Sequence, residues 1–376
     1  MRKNLFVRSI AAVSGIVMLA SLAACGDNTS SAGNNSGSTS TEKITGSFSG
    51  AGATSQQAAE EAWISAYMAA NSGANVTYNP TGSGAGVTTF LSGAAAWAGS
   101  DKALSDDEVT QSSDKACANG TTAFDVPVYI SPIAIIFNLK GVSDAGKHIN
   151  LDADTAAKIF DGKIVKWNDP AIANQNKDLT LPDTQITVVH RSDKSGTTQN
   201  FVSYFKDQAP DSWTHELSEN WPDIPGQQSA KGTSGVVTAV KQADGTIGYA
   251  DFSQVGDLGT AAIKVGENYN EISADAGSKV IEDSEIDTSV KGDNRVVVKI
   301  NHATEAKGAY PIVLVSYDIA CPAYKDANTA KFVKSWLTYV TSDEGQKTAS
   351  SAAGSAPLPS NIVKKVTKSI EAIKTK

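Results

Sequence analysis

Three short segments constrain this chain more than anything else in it: Gly50-Ala51-Gly52-Ala53-Thr54-Ser55, Thr81-Gly82-Ser83-Gly84-Ala85-Gly86 and His190-Arg191-Ser192-Asp193-Lys194-Ser195-Gly196-Thr197-Thr198. Each follows a strand-like stretch, concentrates small residues and hydroxyls, and opens a stretch with helical apolar spacing. Strand, tight loop and helix in that order build α/β sheets whose strand ends carry ligand groups. They also build an anion pocket, because glycine lets an oxyanion approach the backbone and the first N–H groups of a helix have no partner within it. Only the third loop contains arginine. The expected site therefore holds a small anion mainly with neutral dipoles and hydroxyls, not with a broad cationic patch.

The chain opens on Arg2, Lys3 and Arg8, continues through the apolar run Ile10 to Ala20 and reaches Ser21-Leu22-Ala23-Ala24-Cys25. Residues 1–24 have the pattern of an export signal, and the Leu-Ala-Ala-Cys ending resembles a bacterial lipobox, which implies lipidation at Cys25. A transmembrane anchor is the competing reading, but the run is short for spanning and small residues crowd its end. Residues 25–46, rich in Ser, Thr, Asn and Gly, have too few apolar side chains to offset the entropy of ordering and read as a lipid-anchored flexible tether. About 330 residues remain, room for two α/β lobes of ordinary size. The net charge of −8 argues against nucleic acid as a partner, so a bound anion must be held by local fields. Besides Cys25 the chain has only Cys117 and Cys321, and in an exported protein such a pair favours a bridge. No C-x-x-C or H-E-x-x-H points to metal, and His148, His190, His215 and His302 are scattered enough to read as structural or surface groups. No metal and no cofactor is expected.

Along the chain, Ala59, Trp63, Ile64, Tyr67 and Met68 recur at helical spacing between Gln56 and Asn71, with Glu60 and Glu61 between them, which predicts an amphipathic helix after the first loop. Val76 to Asn79 reads as a strand, Val87, Phe90 and Leu91 as the helix after the second loop, and Trp97 to Asp101 as a strand ending in a turn. Asp101 then lies where an α/β sheet places ligand groups. Val126 to Phe137, apolar, β-branched and punctuated by Pro127 and Pro132, reads as a strand passing between lobes, and Pro311 to Tyr317 as a return crossing. Ile186 to Val189 feeds the Arg191 loop, and Phe201, Val202 and Phe205 mark the helix beyond it. Gly245 to Tyr249 is a turn entering a strand, and Phe332, Val333, Trp336, Leu337 and Val340 form a late helix.

The three loops, with Tyr78-Asn79-Pro80, Ala98-Gly99-Ser100-Asp101, Ile159-Phe160-Asp161-Gly162-Lys163-Ile164, Trp167-Asn168-Asp169-Pro170 and Gly245-Thr246-Ile247-Gly248-Tyr249, occur in an order that resembles the extracytoplasmic phosphate-binding protein of the high-affinity phosphate ABC transporter, from about Gly50 to Pro359. The resemblance implies a type II periplasmic-binding-protein fold: two α/β lobes with two hinge crossings, lobe 1 from 47–127 and 299–376 and lobe 2 from 128–298. It implies a monomer with no catalytic residues, held by its lipid at the outer face of the cell membrane. The implied ligand is inorganic phosphate, and the implied partners are the permease subunits of the transporter.

Carried over position by position, the family's phosphate ligands fall on Thr54, Ser55 through its backbone N–H, Ser83, Asp101, Arg191, Ser195, Gly196 and Thr197. The chain departs from the pattern at Ser55-Gln56, where relatives often have Phe-Pro, and at Lys194, where glycine is common. The first change keeps the backbone donor and makes the pocket wall more polar. The cysteine pattern resembles versions from high-GC Gram-positive bacteria and supports a Cys117–Cys321 bridge. A carboxylate in an anion pocket repels unless it accepts a proton from the ligand, so Asp101 suits hydrogen phosphate and penalises sulfate, while arsenate shares phosphate's protons. Residue type alone would make Asp101 a helix cap or a partner of Arg191. Asp193 either orients the Arg191 guanidinium or closes an Asx-turn. A hydrolase or phosphatase would need a site unlike any G-x-S-x-G elbow, P-loop or metal cluster, none of which this sequence contains.

Overall fold

The computed structural model describes residues 43–376; the expected export signal, Cys25 and the expected tether as far as residue 42 lie outside the described residues. In chain order the strands are β1 (Gly46–Gly52), β2 (Ala74–Pro80), β3 (Trp97–Ser100), β4 (Phe124–Asn138), β5 (Ile149–Leu151), β6 (Thr187–Arg191), β7 (Gln228–Ala230), β8 (Thr246–Asp251), β9 (Gly259–Val265), β10 (Asn268–Asn270), β11 (Glu285–Ile286), β12 (Val298–Lys299) and β13 (Val313–Ala320). Apart from the β11–β12 ladder they form one curled sheet in the order β2-β1-β3-β13-β4-β8-β6-β7, with β9 beside β4 and with β5 and β10 paired to β9.

The strand read as a crossing joins the two halves of this sheet. From Phe124 to Pro132 β4 pairs antiparallel with β13, and from Ile133 to Asn138 it pairs with β8. It is buried from Phe124 to Phe137. That is why its sequence is a continuous apolar run and not an alternation. Its prolines sit where the ladder is broken, since proline has no N–H to give. Pro132 precedes the change of partner, and Pro127 lies at a one-residue slip of register where Val128 is left without an opposite number on β13.

On one side of β4 the strands β1, β2 and β3 are parallel, and on the other β6, β7 and β8 are parallel. Parallel neighbours need crossover connections, which here are helices: Gln57–Ala70 follows β1, Ser83–Leu91 follows β2 and Gly196–Gln208 follows β6. Each of the three loops therefore lies at the carboxyl end of a strand and at the amino end of a helix. Trp63, Trp97, Trp336, Tyr67 and Phe332 pack as one aromatic cluster, and Phe160, Phe201, Phe205, Trp221 and Tyr249 as another. Trp167 is fully buried and donates from Nε1 to the Gly245 carbonyl at 3.0 Å, a packing role.

Cys117 and Cys321 form a disulfide with their Cα atoms 5.3 Å apart. The bridge ties the segment before β4 to the end of β13. One residue departs from its expected environment. Glu60, read among the polar residues of its helix, is fully buried and accepts from Trp97 Nε1 at 3.2 Å, whereas Glu61 is exposed. Burial and the nearby Asp318 push the Glu60 carboxyl well above the usual range, so a neutral acid can sit where a charge could not.

Candidate anion-binding site

Asp101, the first residue after β3, organises the site. Its side chain is buried, and three hydroxyls donate to it: Ser55 Oγ at 2.6 Å and Thr197 Oγ1 at 2.7 Å to Oδ2, and Ser316 Oγ at 2.7 Å to Oδ1. Its backbone N–H donates to Ser83 Oγ at 3.3 Å. Burial pushes the Asp101 carboxyl up, and the three hydroxyls together with the charge of Arg191 offset part of that rise. The partners come from the first loop, the second loop, the third loop and β13. A residue pair as distant in sequence as Ser55 and Thr197 is thus joined through one carboxylate.

Arg191, the last residue of β6, is buried as well, and Asp193 grips it from Nε at 2.8 Å and Nη2 at 2.6 Å in a two-bond fork. Asp193 Oδ1 also accepts the Gly232 N–H at 3.0 Å. Partial burial raises the Asp193 pKa, but the Arg191 bonds and charge, then the Gly232 N–H, outweigh it and hold the carboxyl below its ordinary value. Of the two readings of Asp193, the geometry is that of a group orienting the guanidinium. Gly82, with φ +98°, approaches this pair so closely that a Cβ would stand 2.4 Å from Asp193 Oδ2. Only glycine satisfies both demands.

Ser195 is the N-cap of Gly196–Gln208, its Oγ accepting from Thr198 N at 3.2 Å. A Cβ on Gly196 would lie 2.8 Å from the Asp101 carbonyl carbon, so this helix start is pressed against the end of β3. Asn200 fixes the approach by donating to the Asp101 carbonyl at 2.6 Å and the Gly196 carbonyl at 2.9 Å. Lys194 is exposed, and its carbonyl accepts from Gly84 N at 3.4 Å.

Thr54, Ser55, Ser83, Asp101, Arg191, Ser195, Gly196 and Thr197 are all buried. Asp101 gathers Ser55, Ser83 and Thr197; Ser195 and Gly196 adjoin through the helix they begin. Thr54 is held differently. Its Oγ1 accepts from the Thr233 N–H at 3.0 Å and lies 2.9 Å from Thr233 Oγ1, and its carbonyl accepts from Gln254 Nε2 at 2.8 Å. Thr233 opens the helix Gly232–Gln242, a fourth helix start that the sequence reading passed over. Its signal was legible: Lys231-Gly232-Thr233-Ser234-Gly235 leads into Val236, Val237 and Val240 with the same succession of glycine, hydroxyl and helix. Ser316, on β13, had no such signal.

A model of the PBP superfamily domain matches residues 37–344. Phosphate-binding protein PstS2 of Mycobacterium bovis (strain BCG / Pasteur) is 36% identical over 381 residues, covering 98% of this chain and 99% of its own. The chain belongs to the PstS family of the PBP superfamily. Phosphate-binding protein PstS of Xylella fastidiosa is 32% identical, covering 85% of this chain and 83% of its own. Two solved structures share the family's fold. One, a high affinity periplasmic phosphate-binding protein (PfluDING) bound with phosphate, has a TM-score of 0.69 at 23% identity, covering 86% of this chain and 93% of that one. The other, a phosphate-binding protein from Stenotrophomonas maltophilia, has a TM-score of 0.67 at 20% identity, with coverages of 86% and 93%. The two-lobed α/β fold implied by the sequence motifs is the fold of the family. Among the described residues no helix is long and apolar enough to cross a membrane.

Proposed function

We propose that this chain binds inorganic phosphate between its two lobes, outside the cytoplasmic membrane, and delivers it to the permease subunits of a phosphate ABC transporter. The observation that carries the reading is one buried carboxylate and one buried guanidinium enclosed by hydroxyls and helix starts from four separate loops. Thr54, Ser83 and Ser195 donate hydroxyl protons to the oxyanion, Thr197 does so when its proton turns from Asp101 Oδ2, and Ser55 and Gly196 donate backbone N–H groups at helix starts. Arg191 spends Nε and one Nη2 proton on Asp193, which leaves Nη1 and the other Nη2 proton for the ligand. Asp101 accepts a proton that phosphate carries and sulfate lacks.

Lobe 1 comprises 47–127 and 299–376 and lobe 2 comprises 128–298, the stretch around Arg295 lying back on lobe 1 through its 2.5 Å bond to Asp125. Cys25 carries the lipid and the stretch from there to the start of β1 at Gly46 is the tether, one residue shorter than the sequence suggested, so a monomer works at the outer face of the membrane. The site performs no catalysis: none of its hydroxyls is hydrogen-bonded to a histidine that could act as a base among the described residues. Phosphate has five heavy atoms, and at the ceiling of about 1.5 kcal/mol per atom its Kd is about micromolar, which demands the enclosure that two closing lobes provide. Calorimetric titration of the delipidated protein, freed of carried-over ligand, with phosphate, arsenate and sulfate tests the reading. Phosphate binding near the micromolar range with sulfate silent is expected, and no phosphate heat would end it.

A further inference from the structure

Behind the pocket, Asp101 is served by a chain of hydrogen bonds whose direction is fixed by its far end. Gln56 Nε2 donates to the Tyr317 carbonyl at 3.0 Å and to Ser316 Oγ at 2.8 Å. A carbonyl only accepts, so the amide group facing it is the NH2, and the second amide proton points at Ser316. At the other end of the amide, Gln56 Oε1 lies 3.3 Å from the Tyr78 hydroxyl, whose single proton it shares with the Ala53 carbonyl at 3.0 Å. Ser316 Oγ is thereby an acceptor from Gln56, and its single proton goes to Asp101 Oδ1 at 2.7 Å. Gln56, Ser316 and Asp101 are at most 1% exposed, so water does not compete for these bonds. Ser316 owes its aim to the sheet: the β4–β13 register slips between Ser316 and Tyr317, and such bulges turn side chains toward sites they would otherwise miss.

We infer that Gln56 and Ser316 are specificity-determining positioning residues: their relay pins Asp101 Oδ1 as a permanent acceptor of a protein proton, so that Oδ2 alone faces the ligand and demands a protonated anion. Two oxygens of one carboxylate are given separate tasks. Oδ1, already accepting the Ser316 proton, is the less favourable oxygen for a proton of its own. Oδ2 meets only the Ser55 and Thr197 hydroxyls, which rotate freely enough to turn toward an anion. The relay also favours the charged form of a carboxyl that burial drives toward neutrality. A neutral Asp101 would become a donor and welcome sulfate, so the relay guards discrimination more than affinity. Gln56 stands at one of the positions where this chain departs from the family pattern, and the departure supplies the far end of the relay. The inference rests on the phosphate reading above.

The test measures phosphate and sulfate affinity from pH 5 to 8 in the parent, Ser316→Ala, Ser316→Thr and Gln56→Met, with melting temperatures as a check of folding. In Ser316→Ala the phosphate-to-sulfate preference is expected to fall about tenfold or more, the scale of one lost bond to a charged group. Its sulfate binding should strengthen on acidification at a higher pH than in the parent. Ser316→Thr should restore both, and Gln56→Met should shift both in the same direction by less. The titratable groups facing Asp101 are Arg191 on β6, Asp251 at the end of β8, Tyr129 on β4 and Tyr78 on β2. The three variants leave those groups in place. A folded Ser316→Ala with the parent's preference and pH profile overturns the relay alone; should Ser316→Ala not fold, an unchanged Gln56→Met overturns it. A parent that binds phosphate no better than sulfate removes the phosphate reading and the relay with it.

Discussion

The negative charge of the pocket, Asp101, is held by three neutral hydroxyls, from Ser55, Thr197 and Ser316, whereas its positive charge, Arg191, is held by a second carboxylate, Asp193. The two halves of the site therefore solve the cost of a buried charge in opposite ways. Hydroxyls leave the charge of Asp101 uncancelled, and burial drives its pKa upward despite them. A full counter-charge reduces the Arg191–Asp193 pair to a dipole and drives the Asp193 pKa downward. These three groups sum to one negative charge, so the site cannot select an anion by total charge and must select by where protons lie. Such a pocket fits a chain whose net charge is −8.

Loss of Arg191 should cost the site most. Arg191→Ala abolishes two charge-assisted donors worth about 1.5–3 kcal/mol each and strands Asp193 beside the ligand, so phosphate affinity should fall by roughly a hundredfold or more by calorimetry. Lys194→Ala, at an exposed position of the same loop, should change it by no more than about threefold, because an exposed lysine contributes a screened field. Equal losses would mean that the guanidinium is not the ligand-facing cation. Next in size is the contrast between anions. Phosphate at about 100 times Kd should stabilise the folded protein by roughly 2.7 kcal/mol, seen as a raised Tm, and sulfate at the same concentration should leave the transition nearly unmoved. Comparable stabilisation by both would make Asp101 an ordinary structural carboxylate.

How far these features were legible in the sequence follows the same division. The strand-loop-helix segments, the aspartate after β3 and the buried crossing strand were legible because each is local: glycines, hydroxyls and an apolar run announce themselves within ten residues or so. The Arg191–Asp193 fork was half legible, two residues apart but open to an Asx-turn. Ser316 was not, since its aim depends on a slip of register between β4 and β13 that no local pattern encodes. Glu60 failed for a related reason: helical spacing placed it among polar residues, whereas Trp97 and Asp318, remote in sequence, enclose it as a neutral acid. Thr233 lay in plain view within a fourth loop of the same composition. Its partner Thr54, far away in sequence, gave it meaning only in the folded chain.

A neutral contact of this kind should matter less than the charged groups. Thr233→Val keeps the shape and the backbone N–H that reaches Thr54 but deletes the hydroxyl at 2.9 Å. One neutral hydrogen bond contributes about 0.5–1.5 kcal/mol, so phosphate affinity should weaken by roughly 3- to 10-fold. The loss should appear chiefly as faster release, because the contact exists only when the first and fourth loops meet. An unchanged release rate measured by stopped flow would show that closure rests on the charged groups alone.

The smallest effect is on stability without any ligand, through the sign of its pH dependence. Asp101 has a folded pKa above its unfolded value, so between the two the native state holds a proton that the unfolded chain has released, and stability falls as pH rises from about 4 through the folded pKa. Asp193 is the reverse. Its folded pKa lies below the unfolded value, so its contribution is present above about pH 4 and is lost as pH falls through the folded pKa. Urea unfolding of the parent, Asp101→Asn and Asp193→Asn across pH 2.5 to 8 separates the two. The parent-minus-variant stability should decline with rising pH for Asp101→Asn and with falling pH for Asp193→Asn. Asp251, which burial pushes up to about 7, and Asp318, pushed up to about 8, slope in the same sense as Asp101. Both remain in every protein compared, so their slopes cancel in the differences provided the substitutions leave their surroundings intact. Difference curves with the same sign for the two variants would mean that the two aspartates are held alike, and the division of labour between hydroxyls and counter-charge would fall.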